Sequence, residues 1–307
     1  MLRSSLFRAF SAVFSRLYGT RVAKAIWLVP GSRRLYGFLI GRLRPDEVTV
    51  RGHLMRLDPL DSLLLSVNGT YEEAELNLFR DCLRAGDTVL DVGGHIGLYA
   101  LEASEAVGRQ GRVVSFEPSS DNFAILEHNV ATNGCANVTL VRAAVADAEG
   151  ELTLVLSREN SGDHQLAGQD ETDAATERIR SVTIDGYCAE AGISGVAVIK
   201  MDIQGAEPVA LAGAKQTIAT TGDLILFTEV SPAHLATRGG ADAYLRSLAD
   251  AGFDLWQLDD AGVTPRTVAD LEHLTIGSDT DHADLVCAKG PGARARLEDA
   301  ISRQERS

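Results

Sequence analysis

Thr88-Val89-Leu90-Asp91-Val92-Gly93-Gly94-His95-Ile96-Gly97 is the stretch on which the fold turns. A short apolar run ends in an acid, and three glycines then open a segment with helical periodicity, from about Gly97 to Val107. That is the pattern of a buried strand, a tight turn and a helix. Glycines in such a turn let the backbone approach a bound ligand with no Cβ in between. Dinucleotide sites use a related G-x-G-x-x-G turn, with pyrophosphate on the helix N-terminus. Here the order is D-x-G-G-x-x-G. An acid just before the glycines repels pyrophosphate but suits the cationic end of a nucleoside cofactor. A purely structural turn is the plainer alternative.

The elements alternate on either side of that turn. Tyr71–Arg84 reads as a helix stopped by Gly86, Arg112–Glu117 as a strand, Asp121–Thr132 as a helix and Val138–Arg142 as a strand. Further on, strands at Val196–Asp202, Asp223–Val230 and Phe253–Leu258 alternate with helices at Glu207–Thr220 and Ala241–Ala251. Asp284–Ala288 could add a last strand. This spacing predicts a parallel sheet with right-handed crossovers. Val48–Leu57 and Leu63–Val67 read as short strands, Glu151–Leu156 and Arg180–Ile184 as strands around a polar stretch, and Pro291–Ser307 as a tail. The polar stretch, Ser157–Glu177, is too long for a routine connection and reads as a functional loop or lid.

Two further strand ends carry chemistry. Phe116-Glu117-Pro118 follows Asp91 by about 26 residues. A carboxylate there can accept two hydrogen bonds from ribose hydroxyls, and the proline stops the ladder and suits a helix start. Asn122, in the helix that follows, is placed in the same site. The third end is Val198-Ile199-Lys200-Met201-Asp202-Ile203-Gln204-Gly205-Ala206-Glu207. Asp202 should lie at the carboxyl edge of the sheet, where open α/β sheets bind ligands. It could take a proton from a substrate hydroxyl or hold the substrate in register, or it could simply cap a helix. Lys200, two residues earlier, shares its face and reads as a partner for a neighbouring carboxylate.

Taken together, Asp91–Gly97, Glu117-Pro118 followed by Phe123, Leu126 and Asn129, the run Lys200–Glu207, and Glu229 resemble the FkbM family of methyltransferases. The similarity spans roughly residues 70–230. It implies an α/β class I methyltransferase fold: a Rossmann-like, mostly parallel seven-stranded sheet with helices on both faces, here with a helical N-terminal extension. It also implies S-adenosyl-L-methionine as methyl donor and a hydroxyl of a sugar, glycolipid or secondary metabolite as acceptor. On this resemblance Asp91, Gly93, Gly94, His95, Gly97, Glu117 and Asn122 bind the cofactor, and Asp202, His164 and Glu229 are the candidates for catalysis. His164 falls in Asn160–Leu166, a segment that resembles a loop of bacterial members, and imidazole titrates near neutral pH. The family commonly has Gly-Ala-Asn where this chain has Gly93-Gly94-His95, and an acid where it has Gln204. With Gln204 uncharged and no third ligand beside Asp202 and Glu229, no metal is assigned. A nicotinamide-dependent oxidoreductase and a non-catalytic nucleoside-binding module are the competing readings. The first wants a G-x-G-x-x-G turn that is missing, and the second does not need Asp91, Glu117 and Asp202 together.

Charge bounds the partners. Residues 1–50 hold nine Lys/Arg against Asp46 and Glu47, although the whole chain carries −14. The remainder is therefore strongly acidic and repels a phosphate backbone, so nucleic acid is an unfavourable partner and a small-molecule or glycan acceptor suits it better. Residues 1–47 read as a basic amphipathic extension, with apolar residues at Leu6, Phe10, Val13, Phe14 and Leu17. Residues 48–290 are the methyltransferase domain and 291–307 a tail. The extension lacks the unbroken apolar run of a secretory signal, and no stretch is long enough to span a bilayer. Peripheral membrane contact through residues 1–44 is one expectation for it, and packing on the domain another. The four cysteines, some 50 residues apart and without a CxxC pair, fit free thiols in a cytoplasmic protein, working in the cytoplasm or at the inner face of its membrane.

Overall fold

The computed structural model describes Phe7 and residues 44–157, 160–167, 175–259, 262–271 and 282–306. Apart from Phe7 and residues 44–47, the basic extension, with its membrane expectation, lies outside the described residues. A hairpin comes first, β1 (Glu47–Val50) and β2 (His53–Arg56), turning at Arg51-Gly52. The stretch expected as a strand at Leu63–Val67 is instead a short helix, α1 (Leu65–Asn68), followed by α2 (Glu73–Asp81). Aspartates shape the entry to α1: Asp58 and Asp61 accept hydrogen bonds from the backbone of Leu60, Ser62 and Ser66, which favours a turn over an extended chain.

The central sheet is built from β3 (Thr88–Val92), β4 (Arg112–Phe116), β5 (Val138–Val141), β10 (Val198–Met201), β11 (Leu224–Val230), β12 (Asp254–Asp259), β13 (Gly262–Arg266) and β14 (Ala283–Lys289). Its order is β13-β12-β14-β11-β10-β3-β4-β5. The strands from β11 to β5 are parallel, whereas β14 runs antiparallel to both of its neighbours, β11 and β12. The expected seven strands are present, and β13 adds an eighth at the edge through its hairpin with β12.

Strand residues alternate between two cores, as a sheet covered on both faces requires. Val89, Val113, Val198, Ile225, Phe227 and Val286 pack with α2, α3 (Leu98–Val107), α4 (Ser120–Thr132) and α10 (Pro291–Gln304). Leu90, Val114, Ile199, Leu226 and Leu285 pack on the other face with α5 (Ile184–Glu190), α6 (Glu207–Ala212), α7 (Lys215–Thr220) and α9 (Gly240–Asp250). The predicted single helix over Glu207–Thr220 is broken at Gly213 and Ala214, where the chain passes so close to Ala146 that a Cβ on residue 213 would meet its carbonyl oxygen at 2.0 Å. A four-residue helix, α8 (Pro232–Leu235), precedes α9.

Residues 291–307, read as a tail, are corrected by the structure: α10 buries Ala293, Leu297 and Ala300, and Arg296 pairs with Asp87. Its apolar positions are few, but they fall on one stripe. A second, four-stranded sheet, in the order β6-β9-β7-β8, joins β6 (Ala144–Val145), β7 (Gly150–Val155), β8 (Gln165–Leu166) and β9 (Thr176–Val182). It carries the described part of the polar stretch across the carboxyl edge of the central sheet. Cys82, Cys188 and Cys287 are buried, Cys135 is partly so, and all four are free. Among the described residues no helix is long and apolar enough to cross a membrane.

Candidate active site

Parallel register brings three acids to one edge. Lys200 in β10 lies opposite Asp91 in β3, and Asp91 lies opposite Ser115 in β4. Glu117 and Asp202 therefore each follow the last residue of their strands on the same rim. The glycine turn fits between them. Gly93 and Gly94 both donate to the carbonyl of Phe116, at 3.0 and 2.9 Å. Gly93 has a φ of 88°, and a Cβ there would meet the carbonyl oxygen of Asp202 at 2.0 Å. Only glycine lets β3 and β10 end this close together. Gly97 caps α3 in a left-handed conformation. Two non-glycine residues, His95 (φ 47°) and Gln204 (φ 52°), also hold left-handed backbones on this rim. Such strain gathers where a site needs a particular shape.

The acids are unequal. Asp91 is 1% exposed and accepts from the Ser115 hydroxyl at 2.6 Å, and burial lifts its pKa to about 6. Glu117 accepts from the backbone N–H groups of His95 and Ser119, both at 2.9 Å, yet burial still pushes it up to about 8. Asp202 is more open, its side chain 31% exposed. One of its oxygens accepts from Gln204 Nε2 at 3.1 Å, and the other lies 3.8 Å from Lys200 Nζ.

Lys200 is the cation at the centre of this group. The residue is 4% exposed, and its ammonium pairs with Glu75 of α2 at 2.8 Å and lies 4.9 Å from the centre of the Tyr99 ring. The Tyr99 hydroxyl donates to the same Glu75 oxygen at 3.1 Å. Burial works against the charge, but Glu75, Tyr99, Asp202 and Glu72 outweigh it and hold Lys200 protonated well above the ordinary lysine value. Sequence reasoning anticipated a carboxylate partner for Lys200 but not which one. Glu75 sits in a helix of otherwise ordinary amphipathic pattern, and nothing in that pattern says its side chain is buried.

Three cavities follow the rim. The first, about 80 Å³, is lined by Asp91, Gly93, Gly94, His95, Lys200 and Asp202, among others. The second, about 40 Å³ and mostly apolar, lies beyond Gly93 against Phe116, Pro118, Val145, Leu154 and His164. The third, about 230 Å³, has Asp202 in its wall with Glu72, Asp163, Glu229, His234 and Asp284. Burial raises Glu72 to about 8, Glu229 to about 7 and Asp284 to about 6. The structure thus brings Asp202 and Glu229 into one cavity. It does not bring His164 there: that imidazole lines the apolar cavity, accepts from the Ser157 N–H through Nδ1 at 3.1 Å, and is held below the ordinary histidine value by burial. Asn122 is buried and donates to the carbonyl of Ser161 at 2.9 Å. Among the described residues no group of His, Cys, Asp and Glu side chains could hold a metal ion.

The donor set fits a nucleoside cofactor with a cationic end: two buried acids that form no ion pair among the described residues, an apolar cavity beside Glu117, and a turn open to backbone approach. Fold and site together define an α/β protein of the nucleoside-binding, Rossmann-like class. The model of the FkbM methyltransferase domain matches residues 91–255, more than half of the chain. The chain belongs to that family of methyltransferases.

Solved structures give fainter likenesses. A methyltransferase FkbM from Methylobacillus flagellatus is 17% identical over 66% of this chain, with a TM-score of 0.41, and this chain spans 43% of that protein's length. A putative methyltransferase from Streptococcus mutans in complex with SAH is 10% identical over 71% of this chain and 96% of its own (TM-score 0.41). A SAM-dependent O-methyltransferase from Thermotoga maritima is 12% identical over 72% of this chain and 66% of its own (TM-score 0.38). A comparison with curated proteins finds no match.

Proposed function

We propose that the enzyme methylates a hydroxyl of a small acceptor, such as a sugar, a glycolipid or a secondary metabolite, held in the acid-lined cavity beside Asp202. The observation that carries this reading is that Asp202 is a shared wall: it lines both the cavity containing the glycine turn and the larger cavity with Glu229. S-adenosylmethionine supplies a methyl group on a sulfonium that becomes a neutral thioether as the group departs. Glu117 is suited to ribose hydroxyls, Asn122, Gly93, Gly94, His95 and Gly97 to the surrounding polar groups, and the apolar cavity against Phe116 and His164 to the base. Asp91 suits the ammonium of the amino-acid portion.

Alignment and removal of one proton are what remain for the protein to provide. Asp202 takes that proton from the acceptor hydroxyl, and Glu229 in the same cavity helps to hold the acceptor. Lys200, fixed by Glu75 and Tyr99, keeps the Asp202 carboxylate in place. His164, in a different cavity, contacts the cofactor and is not the base. The enzyme is expected to work in the cytoplasm, and the basic segment 1–44 would bring it to the inner membrane face when the acceptor is lipid-linked.

The test is methyl transfer from labelled S-adenosylmethionine to a panel of sugars, glycolipids and polyols, with matched amines as the contrasting set. Label in a methyl ether supports the reading. Label found in amines alone overturns it.

A further inference from the structure

Residues 160–163 are tied across the cofactor side of the cleft by a directed chain of hydrogen bonds. Asp58 is buried, and its carboxylate accepts from the Ser62 hydroxyl at 2.9 Å and from the N–H groups of Leu60 and Ser62. With its one proton given to Asp58, the Ser62 oxygen has two lone pairs left. The Ser161 N–H reaches it at 3.0 Å and the Ser161 hydroxyl at 3.2 Å. The Ser161 oxygen in turn lies 2.8 Å from His95 Nε2. Burial holds His95 down at about 4, so the ring is neutral at physiological pH. Each proton then has one consistent place: His95 Nε2–H to Ser161, Ser161 O–H to Ser62, Ser62 O–H to Asp58. The Ser161 carbonyl meanwhile takes the Asn122 side-chain N–H at 2.9 Å.

Two consequences converge. Ser161 occupies polar atoms of His95 and Asn122, side chains assigned to the cofactor. The two cavities on that side, about 80 and about 40 Å³, are also far smaller than the ~300 Å³ at which small-molecule pockets begin.

We propose that this arrangement is a latch: residues 160–163, pinned through Ser161 to Ser62, His95 and Asn122, must lift before S-adenosylmethionine enters or S-adenosylhomocysteine leaves. The proposal rests on the cofactor assignment above and adds a gate to it. Closed latch and bound nucleoside exclude each other, so each weakens the other by the same factor.

A Ser62→Cys/Ser161→Cys double variant tests this, since the two hydroxyl oxygens lie 3.2 Å apart. After oxidation, with the new bond verified by mass spectrometry, S-adenosylhomocysteine should bind at least about 100-fold more weakly by calorimetry, and reduction should restore affinity to the wild-type value or above it, since the reduced pair lacks the latch hydroxyls. Excess S-adenosylhomocysteine present during oxidation should slow disulfide formation. Ser161→Ala, which cuts the chain at its centre, should speed association of S-adenosylhomocysteine several-fold by stopped flow. Equal affinity of the oxidised and reduced forms overturns the latch, as does a rate of disulfide formation that excess S-adenosylhomocysteine leaves unchanged. If wild type and the reduced variant both fail to bind, it is the cofactor assignment that fails.

Discussion

Asp202 and Glu117 differ in what they should do when altered. Asp202→Ala removes the acid shared by two cavities, so methyl transfer should fall by about 10²-fold or more while S-adenosylhomocysteine affinity stays within a few-fold. Full activity in that variant would remove Asp202 from the chemistry. Glu117→Gln keeps the shape but turns an amide NH2 toward one of the two backbone N–H groups, of His95 or Ser119, from which the carboxyl accepts, so affinity should drop by about 10-fold or more in calorimetry, and turnover at saturating cofactor should be nearly restored. Glu75→Gln tests the group behind Lys200: kcat should fall with cofactor affinity little changed, and Lys200→Arg should retain more activity than Lys200→Met. At this scale the sequence was informative wherever backbone geometry fixes the residue. Asp91, Gly93, Glu117 and Asp202 sit at strand ends, and a strand end can be read from its pattern. Glu75 and Ser62 could not be read, because each reaches the site through tertiary packing of a helix or turn with no pattern of its own, and Ser161, although in a recognisable loop, owes its partners to the same packing. The place of His164 could not be read for the same reason: its loop was recognisable, but which cavity it faces depends on how β7 and β8 pack.

Elements repeat the lesson. Strong apolar runs such as Val198–Met201 and Leu224–Val230 are buried on both sides and were legible at once. The helix over Pro291–Gln304 was not, since its stripe is only Ala293, Leu297 and Ala300, diluted by charge. Leu297 is wholly buried under the sheet. Leu297→Ala should therefore cost about 3 kcal/mol in urea unfolding, within the range for a buried leucine that leaves a cavity. A change under about 0.5 kcal/mol would mean that this helix is only loosely docked. The hairpin of β1 and β2 is tied to α4 in a different way. Asn129 bridges the backbone of Arg56 in both directions, at 2.7 and 2.9 Å, and donates to Ile96 at 2.8 Å. The asparagine thereby links hairpin, helix and glycine turn, a role that the sequence placed in the family pattern without explaining.

Over the whole molecule, buried acid dominates. Glu72, Glu117 and Glu207 are pushed to about 8, Glu229 to about 7, and Asp91 and Asp284 to about 6, burial being the first cause in each. The folded chain keeps protons on these groups that the unfolded chain has released above its ordinary values of 3.8 and 4.5. Their contribution to stability is thus fully present below those values and is lost as pH rises through about 6 to 8. The melting temperature of the cofactor-free enzyme should be higher at pH 6 than at pH 8. S-adenosylmethionine, a cation with hydroxyl donors, should restore more of it at pH 8 than at pH 6. A flat profile would show that water reaches these carboxyls. One topological fact reaches further, into how the enzyme is made. Ala283–Lys289 lies between Leu224–Val230 and Asp254–Asp259, antiparallel to both. During synthesis those two earlier strands leave the ribosome with a gap between them that only later residues can fill. Until then the nascent chain exposes apolar edges, so a stalled or prematurely terminated translation product should be a client for chaperones rather than a partly active enzyme.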